Sequence, residues 1–230
     1  MTTIQNHLSA VRARIRAACQ AAGRSEDAVT LLAVSKTFGA EAVQEAFAAG
    51  QTAFGENYIQ EAVQKISALS HLPLTWHCIG PIQSNKTRLV AQHFDWVHTV
   101  DRLKIAQRLS EQRPPGLPAL QVCIQVNMDG GASKSGVPPE DALTLAQQVA
   151  TLPNLRLRGI MSIPEPAPDF EASCAIFNRV KALFDALNAR GLVMDTLSMG
   201  MSADLEAAID AGSTMVRVGT AIFGGRNYFH

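Results

Sequence analysis

Leu31-Leu32-Ala33-Val34-Ser35-Lys36-Thr37 reads as a buried strand closed by a lysine. It lies in the first of eight short apolar, β-branched runs: Val29 to Ser35, Thr52 to Gly55, Leu74 to Ile79, Trp96 to Val100, Ala119 to Asn127, Arg156 to Ile163, Thr196 to Met199 and Met215 to Val218. Helical patterns fall between them, around Ala40 to Ala49, Tyr58 to Leu69, Asn85 to Gln92, Arg102 to Glu111, Pro139 to Leu152, Asp169 to Ala189 and Ala203 to Ala211. Such alternation marks repeated βα units and a parallel sheet, and eight strands alternating with helices predict closure into a (β/α)8 barrel of TIM type. An open doubly wound sheet is the competitor. It would want a Gly-rich turn after its first strand, and Lys36-Thr37-Phe38 is no such turn. The Pro-rich pieces Arg113 to Pro118 and Pro164 to Pro168 are too short to separate domains, so one domain over residues 1–230 is expected.

Working outward, an extra helix precedes the barrel, with Ile4, Leu8, Val11, Ile15 and Cys19 spaced at three or four residues. Its arginines, Arg12, Arg14, Arg16 and Arg24, precede the first acid, Glu26, so an organelle transit peptide is the alternative for this start. At 230 residues and 47% apolar content the chain can bury a large core. Twenty basic and twenty acidic residues are interspersed without a run of either sign. That argues against a nucleic-acid footprint or a polybasic membrane anchor and leaves a small molecule as the partner. Cys19, Cys78, Cys123 and Cys174 are widely separated and form no C-x-x-C, as reduced core cysteines of a cytoplasmic protein would be. No stretch approaches the length of a membrane span.

In a barrel of this kind the chemistry gathers where strands end and βα loops begin. Lys36 stands at the first such point, where desolvation favours the free amine that condenses with an aldehyde; the bland alternative is a lysine that snorkels to the rim. At the far end, Gly219 and Thr220 follow the eighth run and Ser202 follows the seventh, the pair of loops that commonly builds a phosphate site. Ser202 is also a good N-cap, with Asp204 and Glu206 in the next turn, so a plain helix start stays open. Arg217 shares a strand face with Gly219 and could point into the barrel mouth beside a bound ring, or make a salt bridge at the bottom face. Gly131-Ala132-Ser133-Lys134-Ser135-Gly136 looks like a P-loop but has Ser133 and Met128 where that motif needs glycine. The histidines show no metal-ligand spacing, and no metal site is expected.

Val34-Ser35-Lys36-Thr37, Phe54-Gly55-Glu56-Asn57-Tyr58, Trp76-His77-Cys78-Ile79-Gly80 with Gln83-Ser84-Asn85-Lys86, Ser133-Lys134-Ser135-Gly136, Arg158-Gly159-Ile160-Met161, Leu197-Ser198-Met199-Gly200-Met201-Ser202 and Arg217-Val218-Gly219-Thr220-Ala221-Ile222-Phe223-Gly224 together resemble the pyridoxal phosphate homeostasis (YggS/PROSC-like) family. The resemblance runs from the first helix to the last few residues. It implies an alanine-racemase-like barrel of the fold-type III class, usually monomeric, that binds pyridoxal 5'-phosphate (PLP). It further implies Lys36 as the Schiff-base lysine, phosphate contacts from Ser202, Gly219 and Thr220, Arg217 near the pyridine nitrogen and Asn57 beside the ring. Lys134 matches a second lysine discussed as a secondary PLP contact. Two departures stand out: Phe38 occupies a position that is basic in many relatives, and Met128-Asp129-Gly130-Gly131-Ala132 is glycine-rich where relatives are often more acidic.

The resemblance implies a protein that buffers or delivers PLP, with apo PLP-dependent enzymes as recipients. The chain to His230 has no counterpart of the C-terminal β-domain that racemases of related architecture carry, so one face of a bound amino acid lacks an evident proton donor. A racemase-like enzyme acting on a small amino acid is the alternative, with Tyr58, His77 or a cysteine reaching the substrate. A cofactor-free aldolase using Lys36 is the third reading.

Overall fold

A computed structural model describes residues 2–131 and 135–225. Its eight strands, β1 (Thr30–Val34), β2 (Ala53–Glu56), β3 (Thr75–Cys78), β4 (Trp96–Val100), β5 (Leu120–Gln125), β6 (Leu155–Met161), β7 (Thr196–Ser198) and β8 (Met215–Val218), are all parallel and close in sequence order, β8 pairing back onto β1. The ring of helices is α2 (Ala40–Ala48), α3 (Ile59–Ala68), α4 (Thr87–His93), α5 (Leu103–Gln112), α6 (Ala142–Ala150), α7 (Phe170–Ala189), α8 (Leu205–Asp210) and the short α9 (Thr220–Phe223). The TIM-type barrel read from the alternation is therefore the fold. The helix patterns beginning at Asn85 and Pro139 open with 3-10 turns, Ser84–Lys86 and Pro139–Asp141, before α4 and α6 proper.

Strand alternation sorts the core into two parts. Ala33, Phe54, Trp76, Val97, Ile124, Ile160, Leu197 and Val218 face outward and pack under the helices. Leu32, Val34, Ile79 and Met215 form a separate apolar cluster. The barrel interior is not all aliphatic: His77, His98, Ser198 and Arg217 are buried there, at 3% exposure or less. Close strand approach needs Gly159, where a Cβ would sit 1.5 Å from the Thr196 carbonyl oxygen on β7.

The first helix, α1 (Thr3–Ala21), buries Leu8, Val11, Ile15, Ala18 and Cys19 and packs against α2, α8 and α9. A capping box starts it: Thr2 Oγ1 accepts from the Gln5 N–H at 3.3 Å, and the Thr2 N–H donates to Gln5 Oε1 at 2.9 Å. The apolar spacing thus marks a helix docked on the barrel, with Arg12 and Arg14 reaching across to the Ala49 and Ser202 carbonyls.

Candidate functional site at the barrel mouth

Lys36 leaves β1 in a tight turn closed by the Phe38 N–H donating to the Ser35 carbonyl at 3.1 Å. Thr37 takes a positive φ of 68°, uncommon for a β-branched residue and worth about 1–3 kcal/mol of local strain. Neighbouring groups hold it there. The Thr37 N–H donates to Glu61 Oε1 at 2.8 Å, and Lys65 Nζ donates to the Ser35 carbonyl at 3.0 Å, to Glu56 Oε1 at 2.6 Å and to Glu61 Oε1 at 3.0 Å. Ser35 Oγ also donates to Glu56 Oε1, at 2.8 Å. Burial pushes the Glu56 carboxyl up, and Lys65 offsets part of that shift. Both residues flanking Lys36 are therefore anchored to one buried charge cluster behind β1 and β2.

Across the mouth, the β7–α8 loop turns at Gly200, whose φ of 100° excludes ordinary side chains. Asp204, not Ser202, precedes α8, and its Oδ1 accepts from the Met201 N–H at 2.7 Å. The N-cap reading of Ser202 is thus replaced: its hydroxyl meets that of Thr220 at 3.4 Å, joining the loops after β7 and β8. Gly219 passes so close to β1 that a Cβ would lie 3.3 Å from the Val34 carbonyl oxygen.

Arg217, near the mouth end of β8, is 3% exposed and makes no salt bridge with another described residue. Nη1 donates to Ser198 Oγ at 2.7 Å and Nη2 to the Ser162 carbonyl at 3.2 Å. Burial lowers its pKa to about 10, with Asp204 opposing, so it stays protonated at neutral pH. Arg217 only donates, so the buried Ser198 proton has one acceptor among its hydrogen-bond partners in the described residues, His98 Nδ1, 2.8 Å away. Burial holds the His98 and His77 pKa values down, so both rings are neutral. His98 then carries its proton on Nε2 and donates to His77 Nδ1 at 2.9 Å. The hydrogen bonds run one way, from Arg217 through Ser198 and His98 to His77.

Lys36, Asn57, Ser202, Arg217, Gly219 and Thr220, the six residues singled out from the sequence, all line one cleft of about 420 Å³. That volume suits a small ligand. Two buried polar atoms beside it, Asn57 Oδ1 and Ser162 Oγ, have no hydrogen-bond partner among the described residues. An amine, a guanidinium, two hydroxyls and an unsatisfied acceptor together suit an anionic ligand with an electrophilic carbonyl and a polar ring.

The sequence reading missed the inner chain and part of the cleft wall. Ser198, His98 and His77 are polar residues at inward-facing strand positions, a parity signal that was available. Ile163, Pro164 and Pro166 line the cleft because the Pro-rich piece after β6 is one of the mouth loops. Neither Tyr58, which is half-exposed, nor His77, deep in the barrel, lines the cleft. Cys78 and Cys123 are buried and their thiols are pushed up to about 12, which keeps them unreactive. Lys134 lies outside the described residues.

Comparison with known proteins bears on this geometry. The sequence model of the alanine racemase N-terminal domain matches residues 7–227. A Pseudomonas aeruginosa pyridoxal phosphate homeostasis protein is 63% identical over 228 residues, covering 99% of this chain and 98% of the relative. The chain belongs to the pyridoxal phosphate homeostasis protein family. The family member of Escherichia coli K12 is 53% identical over 231 residues, 99% of each chain. Among solved structures, PipY of Synechococcus elongatus PCC7942, with PLP bound, superposes with a TM-score of 0.83 at 36% identity, covering 96% of this chain and 100% of PipY. A Clostridium difficile alanine racemase shares the barrel at a TM-score of 0.75 and 17% identity, over 97% of this chain and 57% of the racemase. That likeness speaks for the fold alone.

Proposed function

We propose that the chain binds PLP in this cleft and buffers or delivers it for intracellular PLP homeostasis, holding the aldehyde as a Schiff base on Lys36. The observation that carries the reading is the convergence of Lys36, Asn57, Ser202, Arg217, Gly219 and Thr220 on one cleft. The residues fit the cofactor by their chemistry. Ser202 and Thr220 offer hydroxyls, with Gly219, to the phosphate; Asn57 Oδ1 offers the unused acceptor beside the ring.

Bound PLP would supply an electrophilic aldehyde and an electron-withdrawing ring. With PLP bound, a protonated Arg217 would donate to the ring nitrogen and keep it from carrying its own proton, which would weaken the ring as an electron sink. Ser198 Oγ, itself hydrogen-bonded to His98, and the Ser162 carbonyl hold the guanidinium in place. Lys36, Asp204 and Arg217 are the ionisable side chains lining the cleft among the described residues, and Asp204 already accepts from the Met201 N–H. Asp204 is thus the one candidate for a second acid/base in that set, and its tie to the Met201 N–H favours a loop-holding role and hence a carrier. The same reading takes the chain as a single-domain, monomeric, cytoplasmic protein whose recipients are apo PLP-dependent enzymes. Among the described residues no helix is long and apolar enough to cross a membrane.

One observation favours a racemase-like enzyme acting on a small amino acid as the second reading. A neighbouring cavity of about 230 Å³ shares Asn57, Ile79 and Ile163 with the cleft and adds Thr99 and Gln125.

The test is an absorption spectrum of the purified protein with PLP, before and after borohydride, followed by peptide mapping, with Lys36→Ala alongside. A visible band that borohydride converts to a pyridoxyl group on Lys36, absent from the variant, is the expected result. No band with added PLP would refute the reading. Sustained turnover of an amino acid, lost on Lys36→Ala, would replace the carrier with the enzyme.

A further inference from the structure

The phosphate-side loops are held from behind by a helix that contributes no residue to the cleft lining. Arg14, on α1, donates from Nη2 to the Ser202 carbonyl at 2.9 Å and grips Glu206 with Nε at 2.7 Å and Nη2 at 2.9 Å. Burial pushes the Glu206 carboxyl up, but the Arg14 hydrogen bond, the Glu206 backbone N–H and the Arg14 charge together more than offset it, so its pKa falls below the ordinary value. A carboxylate in the first turn of α8 would otherwise repel an anion brought to Ser202. Two further contacts reach the same region: His7 Nδ1, on α1, lies 2.9 Å from the Ile222 carbonyl in α9, and Arg24, in the turn after α1, donates to the Ile209 carbonyl in α8 at 2.8 Å. Ser202 is thus fixed through its carbonyl by Arg14 and through its hydroxyl by Thr220.

We propose that Arg14 is a positioning residue for the anionic end of the cleft: it fixes the Ser202 backbone and neutralises Glu206, and thereby sets the preference for a phosphorylated over an unphosphorylated pyridoxal. The inference rests on the reading of the cleft as a PLP site. It makes the N-terminal helix part of the binding machinery although none of its side chains lines the cleft. A purely structural role would weaken both ligands equally, whereas a role at the phosphate end acts on PLP alone.

The experiment measures dissociation constants of PLP and of pyridoxal, which lacks the phosphate, for the wild-type protein, Arg14→Gln and Glu206→Gln. Losing a charge-assisted hydrogen bond to the loop and exposing Glu206 should weaken PLP binding of Arg14→Gln about tenfold and leave pyridoxal within about twofold. Glu206→Gln removes the anion and keeps Arg14 on Ser202, so its PLP affinity should equal or exceed that of the wild type. Equal losses for both ligands, no loss for either, or weaker PLP binding by Glu206→Gln would overturn the role of Arg14. A wild-type protein that does not prefer PLP to pyridoxal would remove the reading of the cleft, and this inference with it.

Discussion

His77 and His98 sit at the centre of the barrel, 2% and 0% exposed, and their pairing makes a quantitative claim about acid stability. Burial lowers the His77 pKa to about 3 and holds that of His98 well below its ordinary value. In the unfolded chain both titrate near ~6.5. The folded state therefore binds fewer protons than the unfolded state from about pH 6.5 down to the folded pKa, and stability rises with pH across that window. What these groups contribute is complete above about pH 6.5 and is lost progressively as the pH falls toward about 3. At about pH 5, some 1.5 units below the unfolded pKa, one such histidine costs about 2 kcal/mol at ~1.4 kcal/mol per unit. His98 acts with the same sign. The carboxyls of Glu56 and Asp95, both pushed up by burial, act with the opposite sign, so the difference between wild type and variant is the useful quantity. Urea unfolding at about pH 7.5 and about pH 5 should show His77→Phe losing about 2 kcal/mol less than the wild type between the two. The phenyl ring can keep the stacking on Trp96, whose centroid lies 5.1 Å from that of His77. An identical pH dependence in the variant, or a His77 ring that titrates near 6.5 by NMR in the folded protein, would refute the reasoning.

Lys65→Met removes the partner of a carboxylate at 0% exposure and should cost about 3–5 kcal/mol in denaturant unfolding, with Glu56→Leu added to it recovering much of the loss. Gly159→Ala forces a methyl into the Thr196 carbonyl; a destabilisation of about 3 kcal/mol or more, or failure to fold, is expected, and a wild-type melting temperature would contradict the strand spacing. Because Asn57 Oδ1 has no protein partner among the described residues, Asn57→Ala should weaken PLP binding about tenfold while shifting stability by no more than about 1 kcal/mol, read by ligand titration and urea midpoint.

The strands and helices were legible because periods of 2 and 3.6 are local properties of the chain. β4 and β8 have the same ends as their apolar runs, and the other strands lie within about a residue or two of theirs at most ends. Lys36 was legible for the same reason: it directly follows a run whose burial the side chains announce. Ser202 was only half legible. Its N-cap chemistry pointed to a helix start, but Asp204 took the position before α8 and left Ser202 facing Thr220 across two loops.

By itself, then, the chain's linear order determined the βα repeat, the strand-end positions where chemistry could gather, and the family pattern those positions form. Tertiary structure alone decided which of them meet. Barrel closure brings β8 beside β1, and the hydrogen bonds His77–His98, His98–Ser198 and Ser198–Arg217 join residues 21, 100 and 19 apart in sequence. Arg14 reaches Ser202 across 188. No local propensity encodes such contacts. They exist because a closed sheet points the inward residues of different strands at one axis, where low dielectric and the need to satisfy every buried donor select which polar groups pair.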